Sequence, residues 1–397
     1  MNTICLKNAK VSDGDLWNVK ADVLVDADEG KILDVGPGLS GKEEIDLSGY
    51  TILPGLFDAH VHIVTGKIEY NDKALKSWAQ SGILTVRDMG LGDGKKATDG
   101  YLKWRETVRR PDCAEILTAG QAIAARGGYM HIMGHDENGI AVDTPSDARR
   151  AIQAQLAAGC DGIKTAMDLN GFDEDTPQLS PEILQEIAKV AKEMDVWCAA
   201  HVLKAKFLRV LVENGIPEMA HMVLDPVPED LLDEMAAKRV IVTCTLQSIN
   251  APRPLLPPEV IASMPPEMKE TIKKMEAVDT AAQERDAIEN ARRFHEKGGM
   301  LVLGTDTMRM ETQPDVAKVP VHEFQLLYKA GLSVQEVLAA ATKNAAIACK
   351  VEERLGSIET GKQANLVAIK EELDESFEAL SHVEFVMNQG VVIKDAR

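Results

Sequence analysis

At 397 residues the chain is long enough for one large barrel or two domains, and 45% hydrophobic with 27% charged residues is the balance of an ordinary globular protein. A formal charge of −19 leaves no general basic surface for nucleic acid or an anionic membrane, and 4% aromatic residues leave little for a base-stacking platform. No early stretch joins basic residues to a long apolar run, so neither a signal peptide nor a membrane span is expected.

Residues 1–52 read as short strands, Thr3–Lys7, Asp22–Val25 and Lys31–Val35, separated by Ser12-Asp13-Gly14, Glu29-Gly30 and Gly36-Pro37-Gly38. They carry no catalytic residue pattern. Residues 353–397 resume the same character, with a turn-rich Gly356–Lys362 followed by Asn365–Ile369 and Val383–Lys394. Both ends together predict one small β-sandwich domain. Between them, residues 53–352 alternate strand and helix patterns. The strand patterns are Leu53–His60, Gly82–Met89, Glu115–Gly120, Gly162–Ala166, Val196–His201, Glu218–His221, Val240–Thr245 and Met300–Asp306. Helix starts are signalled at Thr144-Pro145-Ser146-Asp147 and at Ser180-Pro181-Glu182, where a hydroxyl precedes proline at the first helical position. Amphipathic runs follow at Ala205–Glu213, Pro228–Lys238 and Gln283–Lys297. Eight alternations predict an α/β chain with a (β/α)8 TIM barrel. Residues 251–283 break the rhythm with Pro252, Pro254, Pro257, Pro258, Pro265 and Pro266. This insertion follows the seventh strand and is expected at the catalytic end, as a lid or a contact between copies. A homo-oligomer is the expectation.

Barrel enzymes place their chemistry at the carboxyl ends of the strands. Those ends present His60 and His62 on the first strand, Lys164 on the fourth, His201 on the fifth, His221 on the sixth and Asp306 on the eighth. Residues two apart on a strand share a face, so His60 and His62 offer two imidazoles to one side. Each residue has a plainer reading: a satisfied core histidine, a snorkelling lysine stem, a helix-capping aspartate. Their convergence on one rim argues instead for a metal site. Lys164 lies in the apolar run Cys160–Ala166, and an ammonium has no lone pair to offer a cation. Carboxylation by carbon dioxide would make it a carbamate with two oxygens, able to bridge two metals. An ion pair with Asp306 is the alternative. Metals about 3.5–4 Å apart share a hydroxide and polarise a carbonyl, with Asp306 serving as ligand and general base. The six cysteines, Cys5, Cys113, Cys160, Cys198, Cys244 and Cys349, form no Cys-x-x-Cys pair. Buried free thiols and a cytoplasmic location are expected.

The motifs PGLFDAHVH (54–62), GCDGIKTA (159–166), LGTDT (303–307) and GSIETGKQANLVAI (356–369) resemble those of the amidohydrolase superfamily over nearly the whole chain. The strand around Lys164 and the RGGYMHIMG passage (126–134) are most similar to its imidazolonepropionase-like, Xaa-Pro dipeptidase-like branch. The resemblance implies a binuclear centre, with zinc the expected metal, held by His60, His62, carboxylated Lys164, His201, His221 and Asp306. It implies hydrolysis of an amide bond in a small molecule such as a dipeptide, N-acyl amino acid or cyclic amide. The surroundings depart from the branch pattern. Gly127-Gly128 is followed by Tyr129-Met130-His131 where Gly-Gly-His-Gly is common, Val202-Leu203 follow His201, and Pro217–Ala220 replaces Ile-Glu-His-Gly before His221. Substrate contacts are therefore expected from Tyr129, His131, Arg126 and Arg309, with Lys204 a further cation for a carboxylate. A single-metal deaminase commonly carries a glutamate soon after the fifth-strand histidine, and this chain has none there. Lactone or ester hydrolysis uses the same nucleophile. A non-catalytic scaffold is disfavoured because every ligand position is filled.

Overall fold

The computed structural model describes residues 1–63, 72–90, 94–129, 139–168, 176–249, 261–262, 269, 273, 279–307, 317–370 and 372–397. The chain is an α/β protein. Eight parallel strands form its middle: Leu56–Val61, Ile83–Asp88, Glu115–Thr118, Gly162–Ala166, Trp197–His201, Glu218–Met219, Ile241–Thr243 and Met300–Val302. Ladders join the first three in one sheet and the last five in another. Two junctions close the ring. Asp161 N donates to Thr118 O at 2.8 Å, and a further strand, Ala122–Ala125, pairs with the fourth at Ile123–Thr165. At the other seam, Ala59 N donates to Leu303 O at 3.1 Å and Val61 bridges Thr307. The result is a (β/α)8 barrel, with helices Lys73–Ser81, Gly94–Thr107, Pro145–Ala158, Pro181–Glu193, Ala205–Glu213, Glu229–Ala237, Thr280–Glu296 and Val321–Lys329 after successive strands. The hydroxyls of Thr144 and Ser180 accept from the backbone of Asp147 and Ile183, as their capping patterns predict.

The expected first strand, Leu53–His60, is two strands. Thr51–Pro54 belongs to the sheet built from both chain ends, and Leu56–Val61 to the barrel. Gly55 makes the switch: a side chain there would meet Leu84 at 2.7 Å. The terminal strands form one branched eight-stranded sheet, because Thr3–Val11 pairs with Glu43–Asp46 along one half and with Thr51–Pro54 along the other. Residue alternation gives this sheet two buried faces. Ile52, Leu366, Ala368, Phe385 and Met387 pack with Leu6, Val23 and Ile32, whereas Leu53, Val367 and Val386 pack into the barrel's helical layer.

A β-bulge sets the phase of the first barrel strand. Between Asp58 and Val61 that strand spends three steps where its partner spends two, Val86 to Asp88. Phe57 and Ala59 pack with Leu117 and Val302, whereas Val61, past the bulge, joins the helix-side core. The bulge thereby turns His60 and His62 to the barrel mouth. Beneath them Arg87 is fully buried and pairs with Glu218 through both terminal nitrogens, one at 2.9 Å. Arg87 also donates to Ala59 O at 2.8 Å and Thr243 Oγ1 at 3.1 Å, and lies 4.9 Å from the Trp197 ring. One guanidinium thus ties the first, second, sixth and seventh strands. Removing one partner of such a pair strands a buried charge. Arg87→Met is expected to cost about 3–5 kcal/mol in urea unfolding, and Arg87→Met with Glu218→Met markedly less. Equal losses in the two variants would show that pairing is not what stabilises this layer.

Candidate metal centre

The bulged first strand and the turn after the eighth bring His60, His62 and Asp306 together. Their donor atoms lie within 4.8 Å of one another. The Nε2 atoms of His60 and His62 are 3.4 Å apart, and stand 3.4 and 3.2 Å from Asp306 Oδ1. The far side of each ring is held by a protein oxygen. His60 Nδ1 lies 2.8 Å from the carbonyl of Ala220, and His62 Nδ1 3.2 Å from that of Gly90. A carbonyl only accepts, so both protons sit on Nδ1 and both Nε2 lone pairs face Asp306. His221 Nδ1 lies 2.8 Å from Thr245 Oγ1. The rings continue around the mouth, with His60–His221 and His201–His221 centroids each 4.7 Å apart.

Asp306 adopts φ 55°, a left-handed backbone costly for a non-glycine residue. Its N–H donates to His60 O at 2.7 Å, which fixes it against the first strand. Thr245 is similarly strained at φ 50°, and Glu323 holds its turn by accepting from Leu246 N at 2.8 Å and Gln247 N at 2.6 Å. Burial pushes His60, His201 and His221 well below the usual imidazole range, helped by Lys164 and neighbouring rings. For His62 burial acts in the same direction, but the adjacent Asp306 carboxylate, assisted by Asp88, outweighs it and raises the ring. Burial also pushes Lys164 down to about 7, with Asp306 opposing and Arg87 assisting. Neutral imidazoles and a neutral amine are metal-binding and carbon dioxide-binding forms respectively. Among the described residues, Asp306 Oδ1 and His201 Nε2 are buried without a hydrogen-bond partner, the condition of polar atoms awaiting a further group. An imidazole–carboxylate donor set of this kind fits a divalent cation.

The remaining expected contacts divide. Tyr129 stacks on His201 with centroids 4.4 Å apart and lies at the mouth, its phenol pushed up by burial and by Asp306 and Asp168. Arg126 is 65% exposed in its side chain and reaches Asp143 at 2.7 Å, so its cation is already engaged. His131, Arg309 and most of the 251–283 insertion lie outside the described residues. Three supporting residues escaped the sequence reading. Asp58 accepts from Thr305 N at 3.0 Å and Thr305 Oγ1 at 2.7 Å, Thr245 orients His221, and Asp168 Oδ1 lies 3.8 Å from His201 Nε2. Asp58 carries a faint signal as an acid within an apolar strand; Thr245 and Asp168 carry none.

The sequence pattern of the Amidohydrolase family matches residues 51–394. The chain belongs to that family. Members generally use divalent metals, and this amidohydrolase is a hydrolase acting on carbon–nitrogen bonds. It is 24% identical to an imidazolonepropionase of Geobacillus sp. (strain WCH70), across 98% of this chain and 90% of that one. Its fold is similar to that of a Xaa-Pro dipeptidase solved with methionine in its active site, with a TM-score of 0.78, 22% identity, and 99% and 100% of the two chains covered. It is likewise similar to A. niger ochratoxinase, with a TM-score of 0.78, 19% identity, and 99% and 96% covered. All six cysteines of this amidohydrolase are buried and unpaired, and no helix among the described residues is long and apolar enough to cross a membrane.

Hydrogen bonds to the outer nitrogen of a metal-binding histidine set its tautomer and orientation. Thr245→Val keeps the shape and removes the hydroxyl from His221. Metal affinity, measured by chelator competition, is expected to fall about 10–100-fold, with Thr245→Ser close to wild type. Equal affinity in all three proteins would remove Thr245 from the site.

Proposed function

We propose that this amidohydrolase is a binuclear metal-dependent hydrolase of amide bonds in small substrates such as dipeptides, N-acyl amino acids or cyclic amides. The observation carrying this reading is the juxtaposition of His60, His62 and Asp306, with their free donor atoms converging. His60, His62 and Asp306 would hold one metal ion, His201 and His221 the second, and Lys164 both. Zinc suits the imidazole-rich set. Bound there, divalent ions supply Lewis acidity and make water a nucleophile at neutral pH.

The chain's own residues do the rest. The neutral Lys164 amine would attack the carbon of carbon dioxide: an N–C bond forms, the pair of one C=O π bond moves onto oxygen, and one N–H proton leaves to solvent, giving an anionic carbamate. Asp306 takes a proton from the attacking water and gives it to the departing amine nitrogen. Tyr129, next to His201, offers its phenol to the substrate carbonyl. Burial of His60, His201 and His221 excludes bulk water and keeps their rings neutral. Lys164 supports the two-metal hydrolase over a one-metal deaminase, and the absence of an acid at 202–204 points the same way. Reduced, buried thiols support a cytoplasmic setting.

The test pairs metal content per chain with hydrolysis of a dipeptide and N-acyl amino acid library. About two metals with amide turnover is expected. One metal, or turnover confined to lactones or exocyclic amines, would overturn the reading. Lys164→Ala is expected to lose metal and turnover together, with partial rescue by a short-chain carboxylic acid; normal activity would sink the carbamate. Asp306→Asn is expected to lower turnover by about 10²–10⁴-fold while retaining substantial metal, and an unaffected rate would remove it as the base. The Lys164 amine is neutral above about 7 and protonated below it. At fixed dissolved carbon dioxide, metal loading of stripped protein should therefore rise from about pH 6 to about pH 8. Flat loading across that range would contradict carboxylation through the free amine.

A further inference from the structure

One histidine of the proposed centre is oriented oppositely to the other three. His60, His62 and His221 direct Nδ1 at a protein oxygen outside the proposed ligand set, and Nε2 of His60 and His62 stands 3.4 and 3.2 Å from Asp306 Oδ1. His201 instead directs Nε2 at a carboxylate outside that set, 3.8 Å from Oδ1 of Asp168. Both atoms are buried, and neither has a hydrogen-bond partner among the described residues.

Asp168 lies two residues past the fourth strand, is 1% exposed and adopts φ 40°. Its other oxygen is occupied. Oδ2 accepts from Leu203 N at 3.0 Å and Lys204 N at 3.1 Å, in the turn that directly follows His201. Gln178 accepts the Asp168 N–H at 2.8 Å. Backbone strain, a clamp on the neighbouring turn and a glutamine anchor together hold the carboxylate with one bare oxygen facing the ring of His201.

We propose that Asp168 is a positioning residue of the metal centre, its Oδ1 accepting the Nε2 proton of His201 so that Nδ1 is the nitrogen presented to the metal. This rests on the metal centre proposed above. An ionised carboxylate has no proton to donate, and neutral imidazole has one. The proton therefore sits on Nε2 and the lone pair on Nδ1, and the carboxylate increases the basicity of the ring as a ligand. The present separation is longer than a hydrogen bond, and such contacts tighten when the site takes up its ligand.

The clamp makes Asp168→Asn a selective test. Asparagine tolerates the left-handed backbone, and its one oxygen is claimed by the two N–H donors of the 203–204 turn. Its amide nitrogen then faces His201 and donates to Nε2, which forces the proton onto Nδ1 and blocks ligation there. The fold should survive with the ring in the wrong tautomer.

Two readouts decide the matter: zinc affinity by chelator competition, and ¹⁵N spectra that distinguish protonated from zinc-bound histidine nitrogens. Wild type should bind zinc with His201 coordinated through Nδ1 and protonated at Nε2. Stripped of metal, Asp168→Asn should unfold at the temperature of stripped wild type, yet bind its weaker zinc about 10–100-fold less tightly. Zinc on His201 Nε2 in wild type, or unchanged affinity in Asp168→Asn, overturns the role of Asp168 and leaves the centre standing. A fall in the unfolding temperature of the stripped variant overturns it too, in favour of a purely structural clamp. Failure of wild type to bind zinc, cobalt or manganese overturns the centre itself and Asp168 with it; His221→Ala, expected to lose one metal, marks that case.

Discussion

The seam between the first and eighth barrel strands is the constraint on which the rest depends. His60 O accepts the N–H groups of both Thr305 and Asp306, at 3.2 and 2.7 Å, and His62 N donates to Thr307 O at 2.9 Å. Asp58 binds the backbone and hydroxyl of Thr305 from within the same seam. These contacts close the cylinder and, in the same act, set Asp306 beside the two imidazoles. Gly304 permits the approach: a side chain there would meet Thr243 at 2.6 Å and the Cβ of His60 at 2.8 Å. Closure and ligand placement are one event, so a chain that failed to close would also have no centre. The left-handed turn at Asp306 follows, because the strand must end abruptly for the carboxylate to reach back toward Nε2.

The fold was legible because its signals are local. Hydroxyl–proline starts, alternation of short apolar runs with amphipathic stretches, and turn clusters at both ends all act within a few residues. The convergence of His60, His62 and Asp306 was legible for the same reason, since each sits at the end of a pattern and the barrel fixes where such ends meet. What was hidden depends on contacts between distant positions. The bulge that turns His60 inward is a mismatch of count between two strands, 58 to 61 against 86 to 88, which neither strand reveals alone. Residues 53–60 read as one apolar run, although Gly55 divides them between two sheets, because a buried strand in either sheet has the same composition. Asp168 and Thr245 are ordinary loop residues until His201 and His221 are placed beside them.

Arg126 is instructive in the opposite sense. It is one of the cations expected at a substrate carboxylate, and the structure pairs it with the exposed Asp143. In a chain with 63 acidic and 44 basic residues, most cations find an intramolecular acid. Arg87 is the extreme case, with an acid, two carbonyls, a threonine and an indole around it. Its charge is satisfied inside the barrel, directly below the centre, and it contributes to keeping Lys164 deprotonated.

Burial is what joins these layers. Desolvation disfavours the protonated forms of His60, His201, His221 and Lys164, and so holds four lone pairs available near neutral pH. The same desolvation is unfavourable to the fold, because buried nitrogen and oxygen atoms give up water. The protein offsets that cost on one side of His60, His62 and His221, through Ala220 O, Gly90 O and Thr245 Oγ1, and leaves the other side of each to the proposed cation. Half-satisfied rings of this kind are poor core residues and good ligands. Their presence at the ends of two strands, the first and the sixth, each ring supported from a separate turn, fits the metal centre proposed above better than packing alone.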